Sequence, residues 1–284
     1  MTAKIQNRVN PKEFFSNLKS YPSKALGQNF IRDLRIIDRI TEVSELSSED
    51  EVIEIGPGLG ALTFALSEKA RRVVAIEKDK KLVDNLRELF GDSSNVELLN
   101  QDALKTDYGK LYKGNKLKVI ANLPYSVSSP LLFKLLEVRM YFTSMVLMLQ
   151  LEVGERITAN PGSKTYGSIS VLIQTFMDVS SEFRVSPESF WPRPRVDSVV
   201  LKLTPLNTPR ARVADEKLYE KVVRAAFSSR RKMIGNSLQS MLSKVSASES
   251  LELANIDKKR RAETLSIEEF GLLVEKVSLL TGEK

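Results

Sequence analysis

Between residues 51 and 151, short and almost wholly apolar runs alternate with stretches whose apolar side chains recur three or four residues apart. Glu51–Ile55, Arg72–Ile76, Val96–Leu99, Leu117–Ala121 and Met145–Leu151 read as strands. Leu62–Ala70 and Asp79–Phe90 read as helices, the second with Leu82, Val83, Leu86 and Phe90 on one buried face. Strands buried on both faces need continuous apolar runs, and parallel neighbours need a long crossover, usually a helix. The pattern therefore predicts an α/β fold with a mostly parallel sheet covered on both sides. Such sheets bind ligands at the carboxyl ends of their strands, near the switch in strand order.

The rest of the chain has a different texture. Residues 1–21 read as a basic arm. Ile169–Val179 and Val196–Leu203 read as late strands separated by the Pro- and Arg-rich loop Ser186–Arg195. Asn207-Thr208-Pro209 reads as a linker, and beyond Asp215 only helices are expected. The expected division is an arm (1–21), a sheet domain (22–207) and a small all-helical domain (208–284), which 284 residues accommodate.

Cysteine and histidine are both absent. Disulfides, thiolate zinc sites, cysteine nucleophiles and the commonest general base are thereby excluded, and no metal site is expected. The N-terminus is polar and charged (Lys4, Gln6, Asn7, Arg8, Lys12) and lacks the apolar core of a secretory signal. Met145–Leu151 is too short to span a bilayer. The expectation is a cytoplasmic protein with no membrane partner. Its net charge of +7 suits a polyanion, provided that the cations cluster.

Glu54-Ile55-Gly56-Pro57-Gly58-Leu59-Gly60 follows the first strand of the sheet and opens a helix. Glycines permit a tight turn and close approach of a ligand to the backbone. Dinucleotide folds use similar glycines to seat a pyrophosphate, but Glu54 suits a ligand bearing a cationic amine better. S-adenosylmethionine carries both an amine and a sulfonium. Glu77 ends the second of these strands, where a carboxylate can accept ribose hydroxyls, and Asp102 follows the third, where one can accept an adenine amino group. Taken singly, each has an ordinary alternative: a structural turn, a solvated charge run (Glu77–Lys81) and a helix N-cap. Three acidic residues at the ends of three successive strands point together to a nucleoside site.

Asn122-Leu123-Pro124-Tyr125 follows the fourth strand. An aromatic amine is a poor nucleophile because its lone pair is delocalised into the ring. Acceptors aimed at its N–H groups favour the non-planar geometry that can attack a methyl sulfonium. The Asn122 side-chain oxygen and the Leu123 carbonyl are the candidates, with Pro124 holding Leu123 extended and Tyr125 stacking on the base. In Phe190-Trp191-Pro192-Arg193-Pro194-Arg195-Val196, Phe190 is expected opposite Tyr125 across a flipped base, and Arg193 and Arg195 are expected at phosphates. Core packing of Phe190 or Trp191 is the alternative. Arg224, Arg230, Arg231 and Lys232 lie within nine residues, and Lys258–Arg261 adds a second cluster. Lys24 precedes a further motif, Leu26-Gly27-Gln28-Asn29-Phe30. Such clusters suit phosphate neutralisation, although solvated basic faces look the same.

Together, Leu26–Phe30, Glu54–Gly60, Asn122–Tyr125, Phe190-x-Pro-x-Pro-x-Val196 and Phe227-x-x-Arg230-Arg231-Lys232 resemble the ribosomal RNA adenine dimethyltransferase family, particularly its small-subunit members. The likeness runs over about residues 22–275, with Arg261-Ala262-Glu263, Leu265-Ser266 and Phe270 near its end. It implies a class I, Rossmann-like S-adenosylmethionine-dependent methyltransferase sheet with a helical C-terminal domain. It also implies N6,N6-dimethylation of two adjacent adenosines in the 3′-terminal hairpin of small-subunit rRNA. The partner implied is a late precursor of the small subunit, met by a monomer with a role in ribosome biogenesis. Family cofactor contacts fall on Asn29, Ile31, Gly56, Glu77, Asp102 and Asn122, and target-base contacts on Asn122, Leu123, Tyr125 and Phe190. Members usually carry Lys and Ala where this chain has Leu151 and Gly154. The glycine is expected to weaken its helix by about 0.5–1 kcal/mol, and the leucine to tune RNA affinity at most. Large-subunit methylation, a non-catalytic nucleic-acid-binding role on the same scaffold, and small-molecule N-methylation are the competing readings.

Overall fold

The apolar runs are strands. The computed structural model describes residues 10–17, 21–23, 27–91, 93 and 95–282; residues 1–9, Lys24 and Leu26, on which parts of the arm and motif readings fall, lie outside the described residues. In chain order the strands are β1 (Phe30–Ile31), β2 (Glu51–Ile55), β3 (Arg72–Glu77), β4 (Val96–Asn100), β5 (Leu117–Asn122), β6 (Phe142–Gln150), β7 (Met177–Val185), β8 (Phe190–Trp191) and β9 (Ser198–Pro205). Seven form one sheet in the order β4-β3-β2-β5-β6-β9-β7. Pairing is parallel from β4 through β6 and antiparallel between β6 and β9. The chain winds outward from β2 through β3 to β4, then returns to β5 on the other side of β2. The switch in strand order, and so the ligand crevice, lies between β2 and β5.

The helices in chain order are α1 (Pro11–Asn17), α2 (Leu34–Val43), α3 (Ala61–Ser67), α4 (Lys80–Phe90), α5 (Ser128–Glu137), α6 (Leu151–Ile157) and α7 (Ser168–Phe176), of which α3, α4 and α5 are crossovers between parallel strands. Asp33 and Asp79 cap α2 and α4 by accepting the backbone N–H groups of Arg35 and Lys81. Val52, Ile120, Val146, Met148 and Val200 of the sheet pack with Ile36, Ile37, Ile40, Leu62 and Leu66 of α2 and α3. Each such side chain contributes roughly 1.5–3 kcal/mol when fully buried. Within the expected basic arm, Phe15 of α1 lies 5.5 Å from the Phe30 ring and 5.7 Å from that of Trp191.

The chain divides into two compact units: residues up to Gly154 with Ser180–Pro205, and Glu155–Val179 with Leu206 onward. This division differs from the expected continuous domain 22–207 in grouping residues 155–179 with the helical unit. Ile169–Val179 is also not a strand as expected; it is α7 followed by the start of β7. Ser170–Ile173, Thr175 and Phe176 of α7 are buried, four of them consecutive, so its apolar run carries no clear helical periodicity. Ser170 settles the helix start, accepting the Gly167 N–H at 3.0 Å and donating to the Arg156 carbonyl at 2.5 Å.

The second unit adds α8 (Glu216–Ala226), α9 (Ile234–Ser237), α10 (Lys244–Leu253) and α11 (Ile267–Thr281). In its core Tyr166 meets Phe227 edge to face and Phe227 meets Phe270 at a tilt, with centroids 6.0 and 5.7 Å apart. Ser266 and Glu269 form a capping box at the start of α11. Among the described residues no helix is long and apolar enough to cross a membrane, and no cluster of three or more acidic residues is placed to hold a metal.

Candidate active site

A cleft opens at the carboxyl ends of β2, β3 and β5, where the topology places it. All six residues expected to hold the cofactor line it: Asn29, Ile31, Gly56, Glu77, Asp102 and Asn122. So do Leu123, Tyr125 and Glu54.

The floor is the turn after β2. Gly58 adopts φ +60°, and the Phe30 ring lies 3.0 Å from where a Cβ would stand. Gly60 adopts φ +89° with Leu86 2.8 Å from the same point, so both positions require glycine on conformation and on space. Glu77 ties the turn to β3: its carboxylate accepts the Gly58 N–H at 3.3 Å and the Asp79 N–H at 2.8 Å. Burial raises the Glu77 pKa, and these backbone donors work against that rise. Asp102 accepts the Leu104 N–H at 3.0 Å, forming a local turn, and the Lys78 ammonium at 2.9 Å. Its pKa is lowered chiefly by Lys78. Lys78 had read as part of a solvated charge run; its pairing with Asp102 across the cleft wall carries no sequence signature.

Glu54 differs from these two carboxylates. It is 1% exposed, and its Oε2 has no hydrogen-bond partner among the described residues. Burial pushes its pKa up to about 8. A buried carboxyl with an unfilled acceptor fits a ligand that brings a cation, as S-adenosylmethionine does.

At the substrate end, the Asn122 amide Nδ2 donates to the Asn29 carbonyl at 3.1 Å. That contact fixes the orientation of the amide and leaves Oδ1 as an acceptor for another donor. The Leu123 N–H is held by the Met148 carbonyl at 3.0 Å, anchoring the motif to β6. Tyr125 is half-buried, and its hydroxyl shares a 2.5 Å hydrogen bond with Ser198 Oγ at the start of β9. Nothing in the sequence marked Ser198. Gln28, which no sequence signal singles out within its motif, accepts from Ser23 N at 2.7 Å and donates to Asp79 at 2.9 Å, bracing the cleft rim.

Phe190, expected to face Tyr125 across a flipped base, is 2% exposed and packs with Ile36, Ile37 and Val185, outside the lining of the cleft. Pairing of β8 with β1 puts Phe190 opposite Ile31 and Trp191 opposite Phe30, which turns Phe190 inward and leaves Trp191 to pack against Phe15.

The expected phosphate contacts divide. Arg195, Arg231 and Lys232 are exposed. Arg193 pairs with Glu188 at 2.6 Å and Arg224 with Glu220 at 2.7 Å, both at the surface. Arg230 instead donates to the backbone carbonyl of Lys164, and Arg260 to that of Thr264 while also pairing with Glu269. These two guanidiniums hold the helical unit together, which clusters in sequence could not reveal.

The sequence matches the family profile of ribosomal RNA adenine dimethylase over residues 21–277. It is 46% identical over 267 residues to a ribosomal RNA small subunit methyltransferase A of Clostridium botulinum, covering 93% of this chain and 97% of that one. Its counterpart in Geobacter metallireducens is 44% identical, over 92% and 97% of the two chains. Among solved structures, a dimethyladenosine transferase from Plasmodium falciparum superposes with a TM-score of 0.71 at 28% identity, covering 89% of this chain and 97% of that one. The 23S rRNA methyltransferase ErmE gives 0.67 at 26%, over 88% and 99%. The chain belongs to the ribosomal RNA adenine dimethylase family.

Proposed function

We propose that this protein uses S-adenosylmethionine to convert two adjacent adenosines in the 3′-terminal hairpin of small-subunit rRNA to N6,N6-dimethyladenosine. Membership of the family makes it an S-adenosylmethionine-dependent rRNA adenine dimethyltransferase. The observation that carries the site reading is the convergence of Asn122, Leu123 and Tyr125 on a cleft whose other wall carries Glu54, Glu77 and Asp102.

Glu77 would accept the ribose hydroxyls and Asp102 the adenine amino group, while the glycine turn lets the ligand lie against the backbone. The cofactor supplies a methyl group made electrophilic by its sulfonium. Asn122 Oδ1 and the Leu123 carbonyl would accept the two N–H groups of the target amine, drawing its lone pair out of conjugation. Tyr125 would stack on the base, its ring held by Ser198. This chemistry needs positioning and exclusion of water rather than a strong base, which suits a chain without histidine. Arg193, Arg195, Arg224, Arg231 and Lys232 are the proposed phosphate contacts. The proposed partner is a late small-subunit precursor in the cytoplasm, bound by a monomer.

The test is to incubate the protein with radiolabelled S-adenosylmethionine and small subunits lacking dimethyladenosine, then digest the RNA and identify the labelled nucleoside. N6,N6-dimethyladenosine at the paired positions, lost in Asn122→Ala, is the expected result. Label in large-subunit RNA alone, or no label where a small-subunit enzyme labels the same particles, would overturn the proposal.

A further inference from the structure

Three carboxylates and one ammonium line the cleft among the described residues: Glu54, Glu77, Asp102 and Lys78. The ammonium is committed to Asp102 at 2.9 Å. Glu77 is occupied by two backbone N–H groups, and Asp102 by Lys78 and the Leu104 N–H. Glu54 alone of the three keeps an oxygen, Oε2, that is buried and without a hydrogen-bond partner. Thr63 Oγ on α3 is likewise buried and makes no hydrogen bond of normal geometry among the described residues, but it lies close enough to Glu54 to oppose the rise of its pKa.

We propose that Glu54 is the counter-ion of the cofactor's α-ammonium group and gives up a proton to solvent as the cofactor binds. This rests on the cofactor occupying the cleft described above. In the empty cleft, an isolated buried carboxylate is far costlier than the neutral acid, so the site holds the proton. Burial is the main cause, the negative charge of Glu77 on β3 adds to it, and the nearby Thr63 hydroxyl acts in the opposite direction. Tyr125 beyond β5 and the Asp102–Lys78 pair bring no free cation to Glu54. An arriving ammonium changes the balance: the carboxyl O–H breaks, the proton passes to the buffer, and the carboxylate is left paired with the cation. The energy that would otherwise be spent desolvating a charged carboxylate in the empty site is thereby avoided.

The sign of the pH dependence follows. The bound state holds one proton fewer than the free state, so affinity rises with pH, up to about tenfold per unit below the free-site pKa. Above about pH 8 the cofactor's own α-amino group begins to lose its proton, and affinity falls again. Glu54→Gln cannot ionise and would keep only the falling limb.

The experiment is calorimetric titration of the full chain at pH 7 in two buffers of different ionisation enthalpy. S-adenosylhomocysteine, which keeps the ammonium, is compared with 5′-methylthioadenosine, which lacks it. Release of close to one proton with the first, and none with the second, is expected. Glu54→Gln should release none with either and bind S-adenosylhomocysteine about tenfold more weakly at pH 8. Equal proton release with both ligands, no release with either, or unchanged release in Glu54→Gln overturns the proposal. The comparison of two ligands on the unmodified protein decides the matter even if the variant fails to fold. Failure to bind S-adenosylhomocysteine at any pH would overturn this inference and the cofactor assignment together, whereas binding without proton release would overturn the inference alone.

Discussion

The side-chain amide of Asn122, at the end of β5, donates to the backbone carbonyl of Asn29 at 3.1 Å. The motif before β1 thus orients the residue that is to receive the target amine. Asn122→Ala removes the acceptor, and by analogy with loss of one polar group from a preorganised site it should lower the single-turnover rate by about 10²–10³. Asn122→Asp is the sharper test. It keeps an acceptor of the same size but sets a carboxylate oxygen against the Asn29 carbonyl, so it should do no better than alanine. Near-normal turnover by Asn122→Asp in a methyl-transfer assay would mean that the Asn29 contact does not orient the site.

Tyr125 separates into a ring and a hydroxyl. The ring is proposed to stack on the base, a contact worth about 1–3 kcal/mol, so Tyr125→Ala should raise the KM for RNA by roughly 5–150-fold. The hydroxyl only meets Ser198 at 2.5 Å, so Tyr125→Phe should leave KM within a few-fold of the unmodified protein. Steady-state assays on small subunits check both, and equal losses in the two variants would argue against stacking.

Glu77 serves the cleft twice, as the proposed ribose acceptor and as the acceptor for the Gly58 and Asp79 N–H groups. Glu77→Gln turns one oxygen into a donor that must face another donor. The loss of charge-assisted hydrogen bonds, about 1.5–3 kcal/mol each, should weaken S-adenosylhomocysteine binding by roughly tenfold or more in calorimetry. Unchanged affinity would remove Glu77 from the cofactor site.

Much of the site was legible because its residues follow strands that announce themselves by unbroken apolar runs. Glu54, Glu77, Asp102 and Asn122, each singled out at the end of a successive apolar run, all line one cleft. Contacts made across the fold were not legible. Phe190 sits in a motif with Pro192 and Pro194, but its direction is set by the pairing of β8 with β1, which no local pattern encodes. The helix α7 is not legible because four consecutive buried residues, Ser170–Ile173, blur the period that distinguishes a helix from a strand.

Gly154 shows the same limit and makes a prediction. By propensity alone the glycine weakens α6. In the structure, a Cβ at this position would lie 2.3 Å from Val199 Cγ1 on β9, and the stiff, buried valine cannot easily yield. Gly154→Ala should therefore destabilise the protein by about 1–3 kcal/mol through overpacking, despite its better helix propensity. Combined with Val199→Ala it should cost less than the two single losses added. Denaturant unfolding of the four proteins tests this, and a more stable Gly154→Ala single variant would show that the helix shifts without cost.

Arg230, Arg231 and Lys232 are adjacent cations with different expected roles. The Arg230 guanidinium donates to the backbone carbonyl of Lys164 within the helical unit, whereas Arg231 and Lys232 are exposed and enter no ion pair among the described residues. Removing Arg230 takes the charged donor from an exposed carbonyl, so Arg230→Ala should lower stability by about 0.5–1.5 kcal/mol, and any loss of RNA affinity should follow from that. Arg231→Ala and Lys232→Ala should leave the melting temperature unchanged. Each should weaken RNA binding and reduce the steepness of log affinity against log salt by about one, since each removes one phosphate contact. The salt slope distinguishes these roles where affinity at one salt concentration cannot. An unchanged slope in the Arg231→Ala, Lys232→Ala double variant would show that these cations are a solvated face. A slope reduced by Arg230→Ala with no loss of stability would show that the guanidinium leaves its carbonyl for a phosphate when RNA arrives.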